Sequence, residues 1–436
     1  MKKIYTLITG SLLIAASATQ LNAQCAGGRY HDFIFPGATV TSNVTYGSNA
    51  QFNNVALTLK LDVYEPQGDT DTLRPLIIFA HGGSFVGGSK SSADMAKICT
   101  DFTKLGYVAA SIDYRLYMTD LPFPGPDSND AGAAVMRAVQ DGRAAVRFFR
   151  KNFSENGNTY GIDTSKIYFG GASAGGLIAL HLAYMDEQSE FPTYIDTTGT
   201  TVGSKTGQKG LHGGIEGLSG NQGYSSRVKG IINLSGAISD TAWIHTGDVP
   251  LLSTHATGDG TVPYGTALIY LQPPNTYPIQ TIDGSATVAE KANEVGLVNC
   301  FKTYYLNSHV PETNIVVYDT TLCLMRNFLE HLTCGTPLNC NYTSKVTGIN
   351  DLSFNDVRIN AYPNPANNSL TIDLTAFKGK NVNIELYDAL GRKVKSFTNI
   401  KTEQYIIARD NTMPTGIYSI NIISEGKIYS KKVMFE

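Results

Sequence analysis

A chain of 436 residues with a formal net charge of −3, only 16% charged residues and 42% hydrophobic ones has the length of more than one domain. Its near-neutral balance and its lack of Lys/Arg runs exclude the electrostatic footprint of a nucleic-acid binder. At the start of the chain, Lys2 and Lys3 precede the apolar stretch IYTLITGSLLIAASA, and Ala23 offers a small residue before a cut. Residues 1–23 are therefore predicted to be a secretory signal peptide. Threonine, glycine and serine interrupt the stretch, which sets it apart from the roughly 20 apolar residues of a membrane span. A lipidated Cys25 is the alternative, but Gln24 is a poor residue directly before one. No later segment is long and apolar enough to span a bilayer.

From about Cys25 to Cys340 two kinds of element alternate. LTLKLDVYEP alternates as a half-buried strand does, and PLIIFAHGG is a continuous apolar run ending in glycines, as in a fully buried strand. DMAKICTDFTKLG has helical spacing with a glycine stop, and YVAASIDY follows as a strand. AVMRAVQDGRAAVRFFRKN is predicted as an amphipathic helix, KIYFGG as a strand and GGLIALHLAYM as the helix after it. VKGIINLSGA, PLLSTHATGD and FKTYYLNSH are three more strands, and LCLMRNFLEHL is a closing helix. Strands alternating with helices predict a mostly parallel sheet covered on both faces. Between Phe191 and Arg227 the pattern lapses into Gly, Ser and Thr, and an insertion over the sheet's upper edge is expected there, with a disordered excursion as the alternative. The α/β domain is assigned to residues 24–340 and a linker to 341–353. Residues 354–436 carry only short strands and turns, without His or Cys, and are predicted to form a small β-sandwich.

The six cysteines, Cys25, Cys99, Cys300, Cys323, Cys334 and Cys340, are even in number in a chain bound for export, so three disulfides of unassigned pairing are expected. No C-x-x-C spacing points to zinc, and neither a metal nor a cofactor is expected.

In a parallel sheet, ligands sit beyond the carboxyl ends of the strands. Gly171-Ala172-Ser173-Ala174-Gly175 fits G-x-S-x-G between a strand and a helix, where a strained turn presents Ser173 as a nucleophile. His81-Gly82-Gly83-Ser84 follows a buried strand and supplies unobstructed N–H groups for an oxyanion. Asp259, between Gly258 and Gly260 after an apolar strand, is the expected acid; Asp240 and Asp248 are the closest of several rivals. His309, where FKTYYLNSH enters a loop, is the expected base. His331 is expected to pack in a helix, His255 to lie in or at the end of its strand, and His81 to orient its loop. His212 stays open.

The order Ser173, Asp259, His309 is that of the α/β-hydrolases. With HGGSF, SIDYRL, GGASAGG, GDGTVPY and SHVP in their places, residues from about 50 to 332 resemble the secreted carboxylesterases of that family. The resemblance implies attack by Ser173 on an ester carbonyl, His309 as general base and Asp259 as its orienter. It implies oxyanion donors from Ala174, Gly83 and Ser84, with Gly82 adjacent. Ala172 stands where many members carry Asp or Glu, and Ser84 replaces a third glycine, departures that bear on substrate range. The implied substrates run from short acyl esters through feruloyl or acetyl groups on polysaccharide to polyesters. A serine peptidase on the same fold, or an inactive hydrolase fold serving adhesion or binding, are the alternatives. The segments YPNPANNSLTIDL, IELYDALGRKV and MPTGIYSINI resemble the C-terminal sorting domain of type IX secretion cargo in Bacteroidetes. That implies the type IX machinery as a partner and a secreted or cell-surface product; a carbohydrate-binding sandwich is the alternative there. Oligomeric state is not assigned.

Overall fold

The computed structural model describes residues 25–116, 128–192, 211–271, 277–314, 317–341, 360–388, 392–424 and 427–436. The predicted signal peptide, most of the linker and positions 193–210 of the Gly-rich insertion lie outside them. The chain divides into two compact units, Met1–Val346 and Thr347–Glu436.

The first unit opens with the strands β1 (Ala38–Ala50), β2 (Ala56–Pro66) and β3 (Arg74–Ala80). Helix α1 (Ala93–Lys104), β4 (Val108–Ile112), helix α2 (Ser128–Glu155), β5 (Ile162–Ala172) and helix α3 (Ala174–Tyr184) follow. Next come β6 (Ile231–Leu234), β7 (Ala237–Ile238), β8 (Leu251–Ala256), β9 (Thr266–Leu271) and β10 (Tyr277–Gly284). Helix α4 (Ser285–Glu294), β11 (Asn299–Tyr304) and helix α5 (Tyr318–Cys334) close the unit.

Eight strands form one sheet in the order β1-β2-β4-β3-β5-β6-β8-β11. Only the β1–β2 and β2–β4 pairs are antiparallel; all pairs from β4 to β11 are parallel. This is the mostly parallel sheet, covered on both faces, that the sequence predicts. The apolar run of β3 explains its central place. Leu76 and Ile78 face a core shared with α2, α3 and α4, whereas Ile77 and Phe79 face one shared with α1 and α5. Period-2 alternation between two covered faces requires every residue to be apolar.

Helix α2 is longer than its predicted periodic stretch, 28 residues in all, and its charged stripe is buried. Arg143 and Arg147 both pair with Glu216, and Arg150 donates to the carbonyls of Ser225 and Arg227. The described part of the Gly-rich insertion therefore lies along α2, and Ser219 also accepts the Ser48 N–H at the end of β1.

Cysteine pairing differs from expectation. Two disulfides form, Cys25–Cys334 and Cys300–Cys340, while Cys99 in α1 and Cys323 in α5 stay as buried thiols. Both thiols sit on helices packed against the sheet: Cys99 lies among apolar residues, and the Cys323 sulfur accepts from Arg326 and Asn327. The Cys25–Cys334 bond joins residues 309 apart. Opening it with Cys25→Ser should lower the stability of this unit by about 2–5 kcal/mol. The check is a urea transition followed by tryptophan fluorescence, where an unchanged midpoint would show that the bond does not constrain the unfolded chain.

The second unit packs a three-stranded sheet against a four-stranded one. The first comprises β12 (Asn360–Tyr362), β13 (Ser369–Asp373) and β16 (Gln404–Ala408). The second comprises β14 (Val382–Tyr387), β15 (Lys393–Ile400), β17 (Gly416–Ser424) and β18 (Lys427–Phe435). Leu370 and Ile407 of one sheet and Ile384, Ile420 and Val433 of the other share a core. This is the antiparallel sandwich predicted for the tail.

Candidate active site

Four loops leave the carboxyl ends of β3, β5, β8 and β11 on the same edge of the sheet, and each carries one element of the site. Ser173 caps α3 with φ 54° and ψ −119°, a region that costs a non-glycine residue about 1–3 kcal/mol. Two glycines make that turn fit. A Cβ on Gly175 would lie 2.0 Å from the Ala80 carbonyl oxygen, and one on Gly171 would lie 2.4 Å from the Gly175 carbonyl carbon. Strand and helix thus approach to backbone contact while the serine is held at their junction. The Ser173 N–H donates to the Leu234 carbonyl at 2.8 Å, which leaves its hydroxyl as the group available to the cleft.

His309 stands on the loop after β11, and its Nε2 lies 2.8 Å from Ser173 Oγ. On the other side of the ring, Nδ1 lies 2.7 Å from Asp259 Oδ2. Asp259 Oδ1 accepts the N–H groups of Thr261 and Val262 at 2.8 and 3.0 Å. Burial opposes ionisation of this carboxyl, but hydrogen bonds with His255 and His309 and from the Thr261 N–H outweigh it. They hold Asp259 well below the usual carboxylate range. The structure thus brings Ser173, His309 and Asp259 into one hydrogen-bonded row.

The rival acids are engaged elsewhere. Asp240 accepts from the Ala242 N–H, Asp248 from the His245 N–H, and Asp283 from Thr241 and Thr266. Among the other histidines, His331 lies in α5 with Nδ1 on the Thr336 carbonyl, and His212 is exposed. His81 donates from Nδ1 to the Gly82 carbonyl at 2.7 Å and stacks on Tyr114, whose hydroxyl donates to the His81 carbonyl. Burial pushes its pKa down, so the neutral ring braces the loop.

On that loop a Cβ at Gly82 would sit 3.1 Å from the Ala172 carbonyl oxygen and 3.3 Å from Ser173 Cβ, a tight approach that glycine relieves. Gly83, Ser84 and Phe85 all have positive φ, and Val86 and Gly87 both donate to the Gly83 carbonyl, closing a tight turn. Ser84, Ser173 and Ala174 line one cleft. Ala174 is the first residue of α3, so its N–H has no intrahelical acceptor. The cleft is partly open to solvent and encloses a narrow cavity of about 70 Å³.

Two supports escaped the sequence. His255, fully buried at the end of β8, places Nε2 3.3 Å from Asp259 Oδ2, a second contact on the acid. Glu312, three residues after His309, is fully buried and accepts from Ser235 Oγ and Thr254 Oγ1, both at 2.9 Å. It ties the His309 loop to the ends of β6 and β8, across Val310 at φ 48°. Burial raises its pKa against those hydrogen bonds. No local pattern in SHVPE announces a buried glutamate; the signal is tertiary.

Residues 61–211 match the BD-FAE family model, a span holding Gly82, Gly83, Ser84, Ser173 and Ala174 but ending before Asp259 and His309. Residues 360–436 match the secretion system C-terminal sorting domain. Among solved structures, the chain is similar to Thermogutta terrifontis esterase 2 phosphoramylated by tabun, with a TM-score of 0.47 and 21% identity over 70% of this chain and 97% of that one. It is also similar to the propionate-bound thermophilic esterase from the same Planctomycetes species, with a TM-score of 0.46 and 21% identity over 69% of this chain and 97% of that one. No curated protein matches the chain.

Proposed function

We propose that this chain, a carboxylic ester hydrolase of α/β-hydrolase fold with a type IX sorting domain at its C-terminus, works through an acyl-serine at Ser173. The observation that carries the reading is the row Ser173 Oγ, His309 Nε2, His309 Nδ1 and Asp259 Oδ2, with links of 2.8 and 2.7 Å. His309 takes the serine proton as the hydroxyl attacks the ester carbonyl, and Asp259 holds the ring in the tautomer that can accept it. The N–H groups of Gly83, Ser84 and Ala174 would stabilise the oxyanion, each worth about 3 kcal/mol of barrier. Collapse of the tetrahedral intermediate expels the alcohol, protonated by His309. Water, activated by the same ring, then releases the acid and regenerates the serine.

The sorting domain would carry the enzyme through the type IX machinery to the cell surface or beyond, where extracellular esters are its substrates. An intact row of Ser, His and Asp favours this reading over an inactive adhesion protein. Incubation of the purified protein with a fluorophosphonate probe, followed by peptide mass spectrometry, should find the adduct on Ser173. A well-folded protein that stays unlabelled would sink the acyl-serine mechanism.

A further inference from the structure

The cleft that opens from Ser173 is apolar over most of its wall. Val135 and Met136 of α2 and Leu177 of α3 face Ile269, Ile279 and Ile282 of the β9–β10 hairpin. No Lys, Arg, Asp or Glu is among the described residues that line it. Beyond Ser84 and Ser173 its polar side chains are Ser239, Thr261, Tyr270 and Gln280, and a backbone irregularity puts Gln280 there. In a regular strand, Ile279 and Gln280 would point to opposite faces. The ladder instead pairs Pro278 with Tyr270 and Gln280 with Ile269, leaving Ile279 as an extra residue. Such a bulge re-aims side chains, and here both Ile279 and Gln280 line the cleft.

The hydrogen bonds behind Gln280 have a fixed direction. His181, buried in α3, has Nδ1 2.8 Å from the Leu177 carbonyl, so Nδ1 carries the proton and Nε2 is an acceptor. Burial lowers the pKa of the ring to about 4, in keeping with that neutral form. Nε2 therefore accepts from the Ser239 hydroxyl at 2.9 Å and from the Ser239 N–H at 3.3 Å. Having donated its proton, the Ser239 oxygen accepts from Gln280 Nε2 at 3.2 Å. The amide of Gln280 is thereby oriented, and its Oε1 is left as an acceptor without a partner among the described residues.

We infer that Gln280, set by Ser239 and His181, is a specificity-determining residue that selects acyl groups with an apolar body and a hydroxyl at the far end. The inference rests on Ser173 being the nucleophile of an esterase. A hydroxyl can donate to Gln280 Oε1, whereas a terminal carboxylate or ammonium would lose its hydration in an uncharged cleft. An aliphatic chain and an aryl ring could both carry that hydroxyl, so the test includes both.

Four p-nitrophenyl esters serve: hexanoate and 6-hydroxyhexanoate, 3-phenylpropanoate and 3-(4-hydroxyphenyl)propanoate. For each pair, the ratio of kcat/KM for the hydroxylated to the plain ester is measured in the parent and in Gln280→Met, which keeps side-chain length. The ratio should fall about tenfold in Gln280→Met for at least one pair, the loss of one hydrogen bond. The responding pair identifies the acyl body. Gln280→Leu repeats the comparison should the methionine variant fail to fold, as judged by circular dichroism. Ratios within twofold of the parent for both pairs would overturn the assignment. Absence of p-nitrophenyl acetate turnover in the parent would instead remove the esterase reading on which it rests.

Discussion

Replacing Ser173 by alanine should lower kcat for p-nitrophenyl acetate by about 10⁵–10⁶-fold, and replacing His309 as well should cost little more. Triad residues act as a unit, so the first loss removes almost all that the second could. The geometry makes the case for such a unit. Ser173 Oγ has one ring nitrogen at 2.8 Å to receive its proton, and that ring has one carboxylate at 2.7 Å to fix its tautomer. Without the hydroxyl, the oxyanion donors still bind the carbonyl, which leaves a residual rate well above that in water. KM should move far less than kcat, because the walls of the cleft are untouched. Steady-state assays of Ser173→Ala, His309→Ala and the double variant decide the matter. A Ser173→Ala variant that keeps more than about one hundredth of the parent rate would rule out Ser173 as the acyl carrier.

The order of elements around this site is written locally. Strand, G-x-S-x-G turn and helix are contiguous from Lys166 to Tyr184, so periodicity and glycine placement announce both the fold and the proposed nucleophile. Asp259 and His309 are legible for the same reason, as loop residues directly beyond apolar strands. What stayed hidden depends on contacts between distant segments. Edge strand β1 has the polar sequence ATVTSNVTYGSNA and is mostly exposed, so no apolar alternation marks it and only its pairing with β2 defines it. The charged stripe of α2 has the pattern of a solvated face. It is covered because Glu216 and the carbonyls near Ser225 come from a segment some 70 residues later. The three expected disulfides became two because Cys99 lies in an apolar core and Cys323 is buried against Arg326 and Asn327, and a count of cysteines carries no such geometry. Gln280 was invisible since the bulge that turns it into the cleft is a property of the pairing with β9.

Asp259→Asn should be the most informative change after the nucleophile, with a loss of about 10⁴ in kcat and little disturbance of the backbone. The asparagine amide can donate to His309 Nδ1, which would place the ring proton on Nε2, where it cannot receive one from Ser173. Acid titration separates this electronic role from a structural one. In the parent, the Asp259 carboxyl is held well below its usual 3.8, so its folded pKa lies under its unfolded one. Its contribution to stability is therefore fully present above about pH 4 and is lost as the pH falls toward the folded value. The amide of the Asp259→Asn variant has no such proton to bind, so the stability gap between parent and variant should narrow steadily below pH 4. Urea midpoints from pH 7 down to pH 3 measure that gap. The same depressed carboxyl stays ionised above about pH 4, so it should add no ionisation of its own to the acid limb of kcat against pH in the parent. An ionisation on that limb that disappears in Asp259→Asn, or a gap that widens in acid, would show that Asp259 is not the ionised orienter of His309.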